Sequence, residues 1–512
     1  MAEHGIVILD YGSQYTQLIA RRIRSMKVYS QILAPTAPER EIFESKPRGL
    51  ILSGGPSSVF GPDAPGLPAW FDACEIPVLG ICYGMQLIAQ RAGAAVKASP
   101  VGEYGHTVIE IAGDDPLFAG VPRELQVWMS HGDKILETPN GMAGIASSVD
   151  CDVAAFSYPA QRKYGVQFHP EVRHTSHGDK ILENFLFKIC GCDPDWVPGH
   201  IIDEKVGEIK HTVGSGRVIC AVSGGVDSSV TACLVDRAIG DRLVCVFVDN
   251  GLLRKNEAVD VVEVLNRQLT GPLEFVDAGE RFLRRLSGVR DPEEKRIRIG
   301  NLFIDVFEEV SRDKGPFEFL AQGTLYPDRI ESTSTGGPSA TIKSHHNVGG
   351  LPDKLNFKLI EPLSLLFKDE VRELGFALGL PREQLMRHPF PGPGLAVRVI
   401  GEVTAEKLEI LRNADEIFID GLKRWDLYDK VWQAGAILLP VRSVGVMGDA
   451  RTYDYAVVLR AVTSTDGMTA DWAKLDNGFL QEISNRIINS VSGINRVAYD
   501  ISSKPPSTIE WE

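Results

Sequence analysis

No run of about 18 consecutive apolar residues occurs in this 512-residue chain, so no segment reads as a membrane-spanning helix. The opening MAEHGIVILDYG lacks a basic region leading into an apolar stretch and a small-residue cleavage site, which predicts no secretory leader. Cysteine is sparse. The eight cysteines fall at 74, 82, 151, 190, 192, 220, 233 and 245, and the last half of the chain has none. That excludes a disulfide framework over the whole chain, and the apolar settings of several cysteines predict buried, reduced thiols in a cytoplasmic protein. Cys190-Gly-Cys192 has no second pair to complete a zinc site. Positive charge is short too: 54 basic residues against 68 acidic ones leave a net charge of −14. This argues against a broad nucleic-acid footprint, yet leaves room for a local phosphate pocket. Internal repeats and low-complexity tracts are missing as well, so a solenoid is excluded.

What is present is ordinary for a globular protein, with 44% hydrophobic and 24% charged residues. At about 150 residues per domain, the length suggests roughly three domains. Residues 1–192 alternate strand-like runs (IVILDYG, GLILSGG, PVLGIC) with amphipathic helices, the pattern of a mostly parallel α/β sheet. The Pro/Gly/Asp-rich stretch 190–201 reads as a boundary. A second α/β region covers 200–388, and the proline- and glycine-rich 387–401 separates it from a smaller α+β tail, 389–512. Within the second region, the polar, glycine-rich segment 331–355 reads as a mobile loop.

Two motifs carry chemistry. In GICYGMQ (80–86), Cys82 sits where an apolar strand turns into a helix, flanked by Gly80 and Gly84. Such a turn lifts a nucleophile above a sheet, and nearby glycines relieve the crowding. The N–H of Tyr83 and that of Gly55, in the loop SGGP (53–56), are candidate oxyanion donors. YGVQFHPEV (164–172) offers His169 as base and Glu171 as the carboxylate that orients it. With these signatures, residues 5–190 resemble the triad-type glutamine amidotransferases. The resemblance implies that Cys82 attacks the glutamine side-chain amide and that ammonia is released.

The loop SGGVDSS (223–229) follows a strand and opens a helix, so its N–H groups form an anion cradle. It has no lysine and the wrong spacing for a Walker A loop. Ser223, Ser228 and Ser229 add hydroxyls, and Asp249 ends the next strand in VFVDNG, where sheet edges meet nucleotides. The pattern resembles the loop of N-type ATP pyrophosphatases, which split ATP into AMP and pyrophosphate. This resemblance implies ATP binding by Ser223, Gly224, Gly225, Val226, Asp227, Ser228, Ser229 and Asp249. It adds Lys368, from EPLSLLFKDEVRELGFALGLP, and Mg²⁺ accompanying ATP, with no protein ligand assigned.

Together with AQGTLYPDRIES (321–332), KSHHN (343–347), RHPFPGPGL (387–395) and KPPSTIEWE (504–512), the fusion resembles the glutamine-hydrolysing GMP synthetases nearly from end to end. The resemblance implies xanthosine 5′-monophosphate as acceptor, adenylylated at its 2-oxygen and then aminated. Matching positions for this nucleotide are Arg296, Gln433, Lys504, Ile509 and Glu510. It further implies a homodimer made by the tail, with no nucleic-acid or membrane partner. Ile297 stands where the family more often has lysine, which loosens the register there.

Three other readings remain open on sequence. Another adenylylating amidotransferase would differ only in its acceptor. A nucleotide- and glutamine-sensing binder would need a decayed site, whereas Cys82, His169 and Glu171 are intact. A sulfur-transferring enzyme acting on tRNA would call for a basic surface or further cysteines. His345 and His346 lack surrounding ligands and read as part of the mobile loop, and His131 in SHGDK receives no catalytic role.

Overall fold

The computed structural model describes residues 4–333, 357–447, 450–464 and 469–512. His345, His346 and most of the loop expected at 331–355 lie outside those residues, and 331–333 close the helix Tyr326–Thr333. The chain divides into two compact units, Met1–Glu204 and Lys205–Glu512. The first expected boundary lies close to this division, and the stretch 387–401 falls inside the second unit.

The first unit is built on strands β1 (Ile6–Leu9), β2 (Ser30–Leu33), β3 (Gly49–Leu52), β4 (Val78–Ile81), β5 (Ala95–Ile111), β6 (Glu124–Glu137), β7 (Ala143–Ser147), β8 (Ala155–Tyr158) and β9 (Lys163–Val166). They form one sheet in the order β2-β1-β3-β4-β9-β8-β7-β5-β6. From β2 to β9 the neighbours run parallel. Of these, β1, β3 and β4 are apolar throughout (IVIL, GLIL, VLGI) and buried on both faces, as parallel strands covered by helices must be. From β9 outward the pairing is antiparallel and ends in the long β5–β6 hairpin. β6 alternates exposed and buried residues along its length, the signature of a sheet with one wet face.

The second unit holds two sheets. Strands β10 (Val218–Ala221), β11 (Leu243–Asp249), β12 (Leu273–Asp277), β13 (Phe319–Ala321) and β14 (Lys358–Ile360) are all parallel, in the order β12-β11-β10-β13-β14. The order reverses beside β10, and the crevice at the carboxyl end of such a reversal is where open α/β sheets bind ligands. The tail contributes β15 (Gln433–Met447), β16 (Ala450–Thr463), β17 (Asp471–Trp472) and β18 (Ile494–Tyr499), packed under the helices Ala405–Arg424 and Asn477–Ser490. Both helices start at a side-chain cap, Thr404 and Asp476, each accepting from first-turn N–H groups. A single apolar cluster runs through both layers, from Ile219 and Val246 through Leu395 and Val399 to Phe418, Leu459 and Ile483. The turn Gly394–Arg398 is therefore core, entirely buried, instead of an exposed linker.

Candidate active sites

β4 delivers Cys82 into the first site. The residue adopts φ +51° and ψ −106°, a conformation most L-residues avoid and one that marks a functional turn. Its N–H is held by the Val166 carbonyl at 2.8 Å. Two glycines make the turn possible. A Cβ on Gly84 would overlap the Leu52 carbonyl, and one on Gly80 would lie 2.5 Å from the Met85 nitrogen. Gly54 lies between nucleophile and base: a Cβ there would meet His169 Cε1 at 3.0 Å and Cys82 Cβ at 3.6 Å.

His169 Nδ1 bonds Glu171 Oε1 at 2.7 Å, and the two residues are 3% and 0% exposed. Alternation just past β9 places both on one side. Burial alone would push the imidazole pKa down. The Glu171 charge and the hydrogen bonds to Cys82 and Glu171 outweigh it, and the pKa is raised to about 10. Thr175 Oγ1 donates to the His169 carbonyl, Arg22 Nε donates to the Glu171 carbonyl, and the Tyr15 ring packs edge-on at 5.0 Å from the imidazole. Gln86, one turn into the helix Tyr83–Arg91, donates to the Asp133 carbonyl at 2.8 Å and ties that helix to β6. Tyr83 opens the helix, and Gly55 packs so closely on Tyr11 that a Cβ would stand 2.6 Å from its carbonyl oxygen. This constellation suits acyl transfer through a thioester: a thiol on a sharp turn, a buried imidazole and its carboxylate.

In the second unit, Ser223–Ser229 joins β10 to the helix Val226–Ile239, at the point where strand order reverses. Gly224 has φ +75° and packs on Val261, whose side chain a Cβ would overlap. Ser228 Oγ receives the Ser223 N–H at 3.2 Å and donates to the Gly225 carbonyl at 3.1 Å, pre-shaping the loop. Ser229 is fully buried and its hydroxyl accepts from Gln384 at 2.7 Å, so it faces the protein interior. Lys368, the first residue of the helix Lys368–Ala377, grips both Asp227 carboxylate oxygens, at 2.6 and 2.5 Å. The loop's missing cation thus arrives from a segment 141 residues away. Asp249 accepts from the Gly251 N–H at 2.9 Å at the carboxyl end of β11. Arg387 stands beside the loop, pairing with Glu257 and reaching the Gly224 carbonyl at 3.4 Å.

A third constellation closes on the tail. Arg398 meets Glu510 at two points, and Gln433 Nε2 adds a third contact to the same carboxylate at 2.8 Å. Burial pushes the Glu510 pKa up, but the Arg398 charge and these bonds prevail and lower it. Gln433, Ile509, Glu510, Arg398 and Arg460 line one cleft. Arg460 holds the tail backbone through the Ile509 carbonyl at 2.7 Å and the Thr508 carbonyl at 2.9 Å. Arg296 donates to the Glu512 main-chain oxygen at 2.6 Å, and the neighbouring, wholly buried Lys295 pairs with the Glu512 side chain. Lys504 is fixed by reciprocal backbone bonds to Ala470 and does not line that cleft.

The sequence reading passed over Arg398, Arg460, Lys295 and Arg387. The available signal was a charged residue inside an apolar run, as in LAVRVIG, or inside the strand AVVLRAV. A charge enclosed by apolar neighbours must have a partner. Among the described residues all eight cysteines are free thiols and buried, and no helix is long and apolar enough to cross a membrane.

Comparison with known families agrees with this geometry. Residues 7–189 match the class-I glutamine amidotransferase family, and residues 420–511 match the GMP synthase C terminal domain. A relative from Syntrophomonas wolfei, named GMP synthase [glutamine-hydrolyzing], is 56% identical over 513 residues, covering 100% of both chains. A relative of the same name from Thermotoga maritima is 55% identical over 507 residues, covering 99% of this chain and all of its own.

Proposed function

The chain belongs to the glutamine-hydrolysing GMP synthases, and from that premise we propose that its first unit draws ammonia from glutamine for a nucleotide activated by ATP in its second. The observation that carries the glutaminase assignment is the strained Cys82 turn beside the buried His169–Glu171 pair. Cys82 sulfur attacks the side-chain amide carbon of glutamine, its proton already resting on the His169 imidazole, whose protonated form the site favours. The N–H groups of Tyr83 and Gly55 receive the oxyanion. Collapse expels ammonia with a proton from the imidazolium and leaves a glutamyl thioester, which water hydrolyses to glutamate. Glu171 keeps the imidazole oriented and stabilises its charged form.

In the second unit the loop Ser223–Ser229 cradles the phosphates of ATP, and Asp249 meets the nucleoside. Lys368 and Asp227 pair side to side at the loop, which supports a switch of Lys368 from carboxylate to phosphate when ATP enters. The half-exposed Asp227 carboxylate is a hard oxygen donor and would hold Mg²⁺ beside the phosphates. When bound there, Mg²⁺ would supply neutralisation of phosphate charge. The 2-oxygen of xanthosine 5′-monophosphate attacks the α-phosphorus of ATP and pyrophosphate leaves. Ammonia then displaces AMP from the purine carbon, giving GMP.

Gln433, Ile509 and Glu510 hold the purine. Glu510 has three of its acceptor positions taken by Arg398 and Gln433 and keeps capacity for a purine N–H. Arg296 and Lys504 supply positive charge for the monophosphate.

In this reading residues 1–192 are the amidotransferase domain, 200–388 the ATP pyrophosphatase domain, and 389–512 the nucleotide-binding and dimerisation domain. Exposed Val441, Val444, Val446 and Tyr453 along the β15–β16 hairpin support a self-association surface. The deciding experiment measures AMP, glutamate and GMP with Mg-ATP and glutamine, with and without xanthosine monophosphate. Equal amounts of all three, formed only with that nucleotide, are expected. Glutamate without AMP would overturn the acceptor assignment while leaving the glutaminase half standing.

A further inference from the structure

We propose that Glu103, His131 and Cys151, none of them part of the Cys82–His169–Glu171 machinery, form a binding site for a divalent cation of the zinc class. Glu103 on β5 and His131 on β6 are direct cross-strand partners, so both side chains leave the sheet on one face. Cys151 reaches the same spot from the turn after β7. One donor atom from each residue lies within 4.8 Å of the others, and among the described residues no other group of three does this.

Each oxygen- or nitrogen-bearing ligand is oriented by a partner on its other atom. His131 Nδ1 bonds the Asp133 carbonyl at 3.0 Å, which turns Nε2 toward Glu103 Oε2, also at 3.0 Å. Glu103 Oε1 accepts from Ser148 Oγ at 3.0 Å, leaving Oε2 for the focus. Ser148 also accepts the Cys151 N–H at 3.1 Å, so one hydroxyl fixes both the carboxylate and the thiol-bearing turn. Lys134 Nζ pins that turn through the Asp150 carbonyl at 3.0 Å. Outer partners of this kind fix ligand orientation in protein metal sites.

The surroundings are dry. Cys151 is fully buried, and the side chains of His131 and Glu103 are 4% and 11% exposed. One imidazole nitrogen, one carboxylate oxygen and one thiolate form a donor set suited to zinc, with water as the fourth ligand. On binding, the Cys151 thiol releases its proton to solvent and the sulfur–metal bond forms. The site also touches the glutaminase indirectly. Ser130, beside His131, accepts from the Cys82 thiol at 3.5 Å, so an ion here would stiffen the strand behind the nucleophile.

The test uses full-length Cys82→Ala protein, which removes the catalytic thiol from the spectra, and Co²⁺ as probe. The expected result is one Co²⁺ per chain, with tetrahedral visible bands and a thiolate charge-transfer band, displaced one for one by Zn²⁺. Adding Cys151→Ser should abolish the charge-transfer band. Adding Glu103→Gln, which keeps the shape of the side chain, should weaken binding at least tenfold with an unchanged near-ultraviolet circular dichroism spectrum. Lack of stoichiometric binding, or a charge-transfer band that survives Cys151→Ser, overturns the proposal. If Cys151→Ser does not fold, the Glu103→Gln affinity decides alone.

Discussion

Arg398 and Glu510 stand 112 positions apart in the chain and meet at two points, Nε to Oε2 at 3.0 Å and Nη2 to Oε1 at 2.8 Å. The guanidinium is 2% exposed. A charge so enclosed holds its partner because the alternative is an unsolvated ion. The last residues of the chain are therefore fastened by a charge in the core, and the same carboxylate faces the proposed purine cleft.

Glu510→Ala should destabilise the second unit by about 3 kcal/mol, because it strips the buried Arg398 of its hydrogen-bonded carboxylate and leaves only Asp415, at 3.7 Å. The double change Arg398→Met with Glu510→Leu should recover most of that loss, since apolar side chains of similar volume fill the same space. It should not recover GMP formation. Denaturant titration read beside product assays checks both halves of this expectation.

The His169–Glu171 pair makes stability depend on pH. The His169 pKa lies at about 10 in the folded chain against an ordinary 6.5, so folding favours its protonated form. That contribution is fully present below about pH 6.5 and disappears as pH rises through about 10. Glu171→Gln removes the carboxylate charge that sustains it. The parent should exceed the variant by a few kcal/mol near pH 6.5, with the gap closing toward pH 10. Urea midpoints across this range test it, and a gap that widens with pH would contradict the assignment.

Gly84→Ala places a methyl group against the Leu52 carbonyl, where backbone meets backbone and neither can yield. Overpacking of this kind costs about 1–3 kcal/mol. The melting temperature of the first unit should fall and glutamine hydrolysis should be lost, while ammonium-driven GMP formation persists. Cys82→Ala should show the same split between glutamine and ammonium without the drop in melting temperature.

Lys368→Gln and Asp227→Asn separate stability from chemistry. Their side chains are 39% and 30% exposed, so the ion pair contributes less than about 1 kcal/mol. Both variants should melt near the parent temperature and release little or no AMP. Glutaminase activity measured alone should survive in each. A variant that cleaves ATP normally would remove its residue from the mechanism.

Much of this was legible in the sequence because local rules decide it. A cysteine between glycines at the end of an apolar strand has few structures open to it, and SGGVDSS after RVICAV has few more. Period-2 spacing put His169 and Glu171 on one side of the chain. The less legible features depend on distance. The β5–β6 hairpin, strands β7 and β8, and the antiparallel edge of the first sheet carry no motif. The stretch 387–401 reads as a linker because proline and glycine usually mark loops, yet Leu395, Ala396, Val397 and Arg398 are all buried there. Its compactness comes from contacts with β15 and with the helix Pro292–Lys314, which no local window contains. Arg398 and Lys295 escaped notice for the same reason, since their partners lie more than a hundred residues away.

The apolar cluster running from Ile219 to Ile483 leaves no seam between the parallel sheet and the tail. A gene cut at codon 388 would strip an apolar face from both products, so the two domains proposed for the second unit share one core and are expected to fold together. The cleft proposed for the purine and the loop proposed for the phosphates therefore rest on one shared core.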